Sequence, residues 1–406
     1  MVDVLIAGGG IAGSSLAMRL GRNGFSVEVF ERARFPREKP CGEGLMPAGV
    51  AALDRLGVPL RCDGAEFFGI RYRSGELAAE GRFPRVAGMP EMGRGVRRRD
   101  LDRSLAEAAG RTPGVRFHTG ARVEGPLVEQ GRVTGLLVEG EPRRGRLVVA
   151  ADGAQSRLRH ALGLDWPLRR KRVGLRAHFR LAVGRPTMPW VEIFLGGGGE
   201  VYVTPLPRGE LLVAALVEAD ALGRPVDEWY RRRVRAERAL AVRLEGAEQV
   251  SELAVISPLS ARPRERVLPG FVLLGDAAGF TDPITGGGMT QALVTSELLA
   301  EHAARARDAH DAWLTAFDRE REGWLRDYRR LTAMILWLSK HPLLVGPALE
   351  LMRRRPDLFS HLLGVAGGMR TLWGGELQQM PAVARPPAAQ HLDACSAETE
   401  NSEPKI

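Results

Sequence analysis

Val2-Asp3-Val4-Leu5-Ile6-Ala7-Gly8-Gly9-Gly10-Ile11-Ala12-Gly13 is the stretch on which the fold turns. A strand-like run leads into a glycine turn of the form G-x-G-x-x-G (Gly8, Gly10, Gly13), and helical sequence follows from Ser14 to Asn23. A second strand is expected from Phe25 to Glu31, so the chain opens on a βαβ unit. Glycines at these positions permit a tight turn and bring backbone close to a pyrophosphate, while the helix N-terminus at Ile11 and Ala12 offers N–H donors and positive potential. Glu31, with Arg32 after it, closes the second strand about 20 residues on, where a carboxylate accepts hydrogen bonds from a ribose diol. The combination predicts dinucleotide binding. By itself it does not separate a nicotinamide dinucleotide from a flavin one.

Outward from this unit the pattern changes twice. Gly69 to Pro90 is rich in Gly, Arg and Pro and reads as irregular. Asp100 to Ala109 has helical spacing, with Leu101, Leu105 and Ala109 on one face, and short strands are expected at Val115–Phe117, Ala121–Val123, Val133–Glu139 and Leu147–Ala151. From Val173 the period becomes two: Val173, Leu175, Ala177, Phe179 and Leu181 alternate with Gly174, Arg176, His178 and Arg180, which predicts a half-buried strand. Val191–Leu195, Glu200–Thr204 and Leu211–Val217 continue an antiparallel sheet, followed by helical sequence from Val226 to about Leu244. Phe271–Leu274 is a buried strand that leads through Gly275-Asp276 into a glycine turn and a helix from Met289 to Arg305, re-entering the first domain. Beyond Trp313 the chain is helical, punctuated by Pro342, Pro347 and Pro356.

Two further segments decide the cofactor. They are Ala151-Asp152-Gly153-Ala154-Gln155-Ser156-Arg157, and Leu274-Gly275-Asp276-Ala277-Ala278-Gly279 with the following Asp282-Pro283-Ile284-Thr285-Gly286-Gly287-Gly288-Met289. In this order they resemble the DG and GD motifs of single-component FAD-dependent monooxygenases of the para-hydroxybenzoate hydroxylase type, and of their relatives the flavin halogenases and geranylgeranyl reductases. The resemblance spans roughly residues 1 to 330. It implies that Asp276 binds the ribityl or ribose part of FAD, and that Gly286, Gly287, Gly288 and Met289 present a helix N-terminus to the flavin pyrimidine edge, where positive potential stabilises the reduced anion. It also implies that Arg98, with Arg99 as a rival, reaches the cofactor from the start of a helix, and that the backbone of Val123 meets the adenine. Asp152 joins the cofactor-binding set.

Pro40-Cys41-Gly42-Glu43-Gly44-Leu45-Met46-Pro47 resembles the loop beside the isoalloxazine in reductase-like and halogenase-like relatives. Cys41 there either tunes the flavin or is an inert thiol. Geranylgeranyl reductases carry Tyr-x-Trp-x-Phe-Pro and halogenases Trp-x-Trp-x-Ile-Pro where this chain has Tyr202-Val203-Thr204-Pro205-Leu206-Pro207, so the tryptophan signature is missing. On that ground the expected chemistry is oxygen transfer from O₂ to an aromatic, polyketide-like or isoprenoid-like small molecule, with NADPH or NADH as reductant. Double-bond reduction of the geranylgeranyl-reductase type is the alternative. A non-catalytic FAD-binding protein, or a protein acting at a membrane surface through the Leu331–Leu363 helices, represents the other classes. Candidate catalytic residues are Cys41, Arg176, His178 and Tyr202.

Composition narrows the rest. The net charge of +9 over 406 residues comes almost wholly from scattered arginines, and 6% aromatic content offers few stacking platforms, which argues against a nucleic-acid partner. The eight histidines form no H-x-H or H-E-x-x-H pattern, so no metal is expected. Cys41, Cys62 and Cys395 make no C-x-x-C pair, the N-terminus lacks signal-peptide character, and no uninterrupted apolar run reaches spanning length; a cytoplasmic protein without a transmembrane segment is expected. The expected fold class is α/β, a Rossmann-type FAD-binding domain with an inserted antiparallel-sheet substrate domain and C-terminal helices. Residues 1–68, 91–165 and 265–330 are assigned to the FAD domain, 69–90 and 166–264 to the substrate domain, 331–381 to the helical region and 382–406 to a disordered tail.

Overall fold

The computed structural model describes residues 1–58, 64–167, 172–186, 188–257, 259, 261–280, 282–306 and 311–375; Cys62, Cys395 and the expected tail lie outside them. Two large sheets organise the chain, as the α/β reading requires. The first has the strand order Val267–Leu268, Phe271–Leu273, Glu141–Ala150, Val2–Ala7, Val27–Glu31, Val115–Thr119. After the antiparallel first pairing the other four in this order are parallel, with Ala7 between Phe30 and Ala150. Such strands are buried on both faces, which is why Val4, Leu5, Ile6 and Ala7 form an uninterrupted apolar run. Helices Ile11–Arg22, Arg98–Gly110 and Gly288–Arg305 cover one face with a single apolar core, and the antiparallel pair Val123–Glu129 and Arg132–Val138 helps to cover the other.

The second sheet is antiparallel except for one parallel pairing, between Val191–Gly196 and Gly69–Ser74. The region expected to be irregular, Gly69 to Pro90, supplies two of its strands, Gly69–Ser74 and Leu77–Arg82. Ile70 and Tyr72 do alternate with Arg71 and Arg73, but the glycines mask the period. Gly81 is glycine for a packing reason: a Cβ there would lie 2.8 Å from Leu363 and Phe359 of the helix across the sheet.

The half-buried expectation for the strand at Val173 also needs correction. Strand Arg172–Arg180 is covered on both sides, and Arg176 and His178 are as buried as the apolar residues beside them. Helices Val226–Arg235 and Arg238–Arg243, two where one was expected, pack on one face of the sheet. On the other face Ile193, Tyr202, Leu212 and Leu216 meet residues of Ala312–Ser339, Pro342–Arg354 and Pro356–Ala366. The helix Ala312–Ser339 runs unbroken through residue 330.

Buried charge ties this sheet together. Glu192, with its side chain fully buried, accepts from Arg71 (2.6 Å) and Arg243 (2.5 Å), with Arg73 at 3.5 Å. Burial opposes its charge, but the three guanidinium groups outweigh it and hold the carboxyl below its ordinary value of 4.5. A lowered folded value means that the stabilisation is complete above the ordinary value and is lost as pH falls through the folded one. Glu192→Gln should therefore cost about 3 kcal/mol at neutral pH, and the gap should close as pH drops below 4.5. Urea unfolding across that range checks it; a gap independent of pH would reject the assignment.

Candidate functional site

The opening glycine turn is built by close contact. A Cβ on Gly8, whose φ is +101°, would lie 2.4 Å from the Ala151 carbonyl oxygen, and one on Gly13 would lie 1.9 Å from that of Gly8. Gly10 differs, because the nearest atom to its notional Cβ is Arg37 Nη2 at 3.5 Å. Helix Ile11–Arg22 has no acidic residue in its own first turn and no side-chain cap, so its N-terminal potential is not offset from within the helix. Buried Glu31 accepts the Gly9 N–H (2.9 Å) and the Ala33 N–H (3.0 Å), which ties the carboxylate to the turn. The amide of Ala121 donates to the Glu31 carbonyl, so the segment entering Val123 runs beside the same strand end. Arg32 points to solvent.

Asp152 lies directly behind Gly8. Its Oδ2 caps the helix Arg157–Ala161 by accepting from Arg157 N (2.9 Å), while Oδ1 is buried and has no partner among the described residues. Burial pushes this carboxyl up. Gly275, at φ +60°, packs on Ala12, which brings the Gly275–Ala278 turn and Asp276 to the start of the glycine helix. A Cβ on Gly288 would sit 3.9 Å from Asp276 Oδ1, so the second glycine turn arrives at the same place. Gly286 has φ +68° and would meet nothing within 4 Å, whereas Met289 is buried in the core and anchors the helix it begins. Gly8, Gly10, Gly13, Glu31, Asp152, Asp276 and the Gly286–Gly288 turn are thus linked by successive contacts.

Residues without a motif complete the groove. Arg37 Nη1 contacts Asp102 (3.0 Å), and its Nη2 approaches Glu31 (3.6 Å). Lys39 Nζ is 3.9 Å from Asp276 Oδ2. Both lie in a loop with no periodicity, and only their positive charge beside a phosphate fingerprint could have flagged them. Tyr328 was equally silent in sequence. Its Oη accepts the Gly287 N–H (3.1 Å) and the Thr285 hydroxyl (2.5 Å), and its ring fills the space a Cβ on Gly287 would take. Burial raises its phenol, which stays neutral.

Other expected residues stand one layer back. Arg98 is buried, bonded through both arms to Asp102 (3.0–3.1 Å), and adjoins Cys41. Burial works against its charge, but Asp102 and Cys41 outweigh it and hold the guanidinium above its ordinary value. Arg98 therefore approaches the groove through Asp102 and Arg37, while Arg99 is largely exposed. Arg176 donates to Glu38 (2.6 Å) and contacts His178 Nδ1 (2.9 Å); His178 Nε2 meets Glu43 Oε2 at 2.7 Å, and Glu43 Oε1 accepts the Arg98 N–H at 2.9 Å. Neither Arg176 nor His178 faces solvent. His178 holds the Cys41–Pro47 loop from behind through Glu43, and Arg176 holds the residues that lead into it, Glu38 and Lys39. Thr204 donates to the Gly42 carbonyl (2.8 Å), so the residue standing where the resembled reductases have tryptophan grips that same loop. Tyr202, whose phenol is raised by burial, donates to the Ile284 carbonyl at 3.4 Å beside the second glycine turn.

The donor set fits FAD. An orphaned carboxylate oxygen, an open glycine backbone at Gly10 and Gly286, two helix N-termini and the cations of Arg37 and Lys39 meet a dinucleotide's hydroxyls, pyrophosphate and flavin edge. Comparison with known proteins agrees, since the family model described as FAD binding domain matches residues 1–328. The chain belongs to this FAD-binding family. It is 30% identical over 364 residues to a menaquinone reductase from Mycolicibacterium smegmatis, covering 85% of this chain and 87% of that one. It is 27% identical over 344 residues to a digeranylgeranylglycerophospholipid reductase from Methanosarcina mazei, covering 80% of each. A flavoprotein/dehydrogenase from Cytophaga hutchinsonii shares the fold at TM-score 0.78 and 24% identity, over 90% of this chain and 93% of that one. The family and these relatives make the chain an FAD-dependent oxidoreductase.

Three substitutions probe the cradle. Glu31→Gln and Asp276→Ala should each weaken FAD binding by about 1.5–3 kcal/mol, the contribution of a hydrogen bond to a charged acceptor. Flavin fluorescence titration measures this, and wild-type affinity in both would misplace the site. Tyr328→Phe removes the acceptor for Gly287 N–H and should weaken FAD by about 1 kcal/mol while shifting the flavin absorption bands. An unchanged spectrum and affinity would reduce Tyr328 to packing.

Proposed function

We propose that this flavoenzyme reduces carbon–carbon double bonds of an isoprenoid chain. The observation that carries the proposal is what the two kinds of relative have in common. One is named for menaquinone and the other for a digeranylgeranyl glycerophospholipid; the first has a quinone ring, the second a glycerophosphate, and the reducible group both share is the isoprenoid double bond. The match over 85% of the chain is too long to leave out the whole inserted sheet, so the likeness involves the substrate side as well as the cofactor side.

Reduced FAD supplies a hydride. Glu31, Asp152, Asp276 and the two glycine turns would hold it, with Arg37 and Lys39 beside the phosphates. The chain's own contribution is a packed apolar core in which Met46 and Ile284, at the two cofactor-facing loops, share one cluster with Leu349 and Leu363 of the C-terminal helices. It excludes water from that side of the loops and would suit an uncharged chain lying against it. Saturation also needs a proton, and Tyr202 Oη and Cys41 Sγ are the candidate carriers on this side. Arg176 and His178 act as positioning residues for the loop that bears Cys41. NADPH or NADH remains the proposed reductant.

Oxygen transfer is the second reading, favoured by Thr204 in place of the tryptophan of the resembled reductases. Oxygen dependence separates the two. With reduced enzyme under strict anaerobiosis, a digeranylgeranyl lipid, or menaquinone whose ring is reoxidised in air before analysis, should yield product heavier by two hydrogens in its isoprenoid chain. Product that forms only in air and gains one atom from labelled O₂ would replace reduction by hydroxylation.

A further inference from the structure

The helix Pro342–Arg354 is apolar on two opposite sides. Val345 and Leu349 are buried against the inserted sheet, yet Leu343, Pro347 and Leu351, at successive i, i+4 positions, face outward, and Leu343 is 91% exposed. At the corner where Ala312–Ser339 ends, Met334 and Trp337 extend this stripe, and the 55% exposed Trp337 ring lies over His341 at 4.3 Å. A helix apolar on two opposite sides belongs against apolar surroundings on both, and exposed leucines and tryptophan grouped in this way mark an interaction surface.

Charge indicates which medium. From residue 326 to residue 355 seven basic side chains stand against two acidic ones, Asp327 and Glu350. Neighbouring acids offset some of them: Arg355 pairs with Asp357, Lys340 lies 3.8 Å from Glu218, and Arg329 contacts Glu322. Arg353 and Arg354, however, share the single carboxylate of Glu350, which leaves positive charge beside Leu351. Leucine and tryptophan flanked by arginine and lysine match the interface of an anionic bilayer, where the ring sits at headgroup level and cations meet lipid phosphates. Among the described residues no helix is long and apolar enough to cross a membrane, so attachment by this corner would be parallel to the surface.

We propose that the corner formed by the end of Ala312–Ser339 and the outer side of Pro342–Arg354 docks on a bilayer containing anionic phospholipid. The inner side of the same helix packs into the apolar core that also holds Met46 and Ile284, so docking would set the outer helix of that core against the hydrocarbon. The inference rests on surface chemistry and does not depend on the reaction proposed above.

Full-length holoenzyme should co-sediment with vesicles of phosphatidylcholine and phosphatidylglycerol, and far less with phosphatidylcholine alone. Leu343→Glu with Leu351→Glu should reduce the bound fraction about tenfold, with flavin content and far-ultraviolet circular dichroism unchanged because both side chains are exposed. Arg353→Gln with Arg354→Gln should weaken binding to the anionic vesicles about tenfold or more, given roughly 1 kcal/mol per basic residue, and leave the weak neutral binding as it was. The proposal is overturned if the wild type stays in the supernatant, if it binds neutral and anionic vesicles equally, or if the glutamate pair sediments like the wild type. It is also overturned if the protein is a dimer that the glutamate pair makes monomeric, since a second copy then covers the face.

Discussion

One strand carries the connection between the two sheets. Arg172, Arg176 and His178 of strand Arg172–Arg180 are all buried, and each reaches a different acidic group on the segments that face the cofactor groove. Arg172 bonds Asp282 (2.8 Å), which opens the second glycine turn, and also contacts Glu200 of the inserted sheet. Arg176 and His178 take Glu38 and Glu43 of the other loop. Removing Arg172 or Asp282 leaves an uncompensated buried charge, and removing His178 or Glu43 strands a buried polar partner, whereas Glu38 is half exposed and water can answer the loss of Arg176. The cofactor-facing loops are thereby positioned by the substrate sheet. A shift of that sheet is transmitted to the groove through side chains that do not line it.

The groove itself is a backbone construction. Its closest contacts are made by Gly8, Gly13 and Gly275, where any Cβ would strike a neighbouring backbone or Ala12, and its open places are at Gly10 and Gly286. Side chains enter mainly as charges: Glu31 and Asp276 would suit hydroxyl groups, and Arg37 and Lys39 phosphates. Burial of Asp152 raises its carboxyl while one of its oxygens has no partner among the described residues, a state that a bound hydroxyl donor would relieve. Bound in this way, FAD would offset a cost already present in the fold.

The substrate side is different in kind. Between the inserted sheet and the C-terminal helices the contacts are mainly apolar, with Lys340 near Glu218 at the edge, and the buried phenols of Tyr72 and Tyr202 are both raised by burial and neutral. Surroundings of this kind would favour an uncharged chain over a charged ring acid through the cost of desolvation rather than by hydrogen-bond readout.

Local sequence determined the elements whose signal lies within one turn or one strand. The strand at Val2–Ala7, the glycine turn, the Glu31 terminus and both Asp–Gly segments were legible because strand, glycine turn and capped carboxylate each need a particular residue type at a fixed spacing. From these came the α/β class, the FAD cofactor and a set of candidate cradle residues that the fold brings together. Tertiary structure decided what depends on contacts between distant segments. Gly69–Pro90 looked irregular because its glycines serve helix packing across the sheet, and Arg176 and His178 looked like exposed alternation because their acidic partners lie more than a hundred residues away. Arg37, Lys39 and Tyr328 had no periodic neighbour to announce them. The fate of Thr204 was likewise unreadable in one dimension: a hydroxyl that grips Gly42 and an absent tryptophan are the same fact, and only the packing of the loop against the sheet shows which one matters.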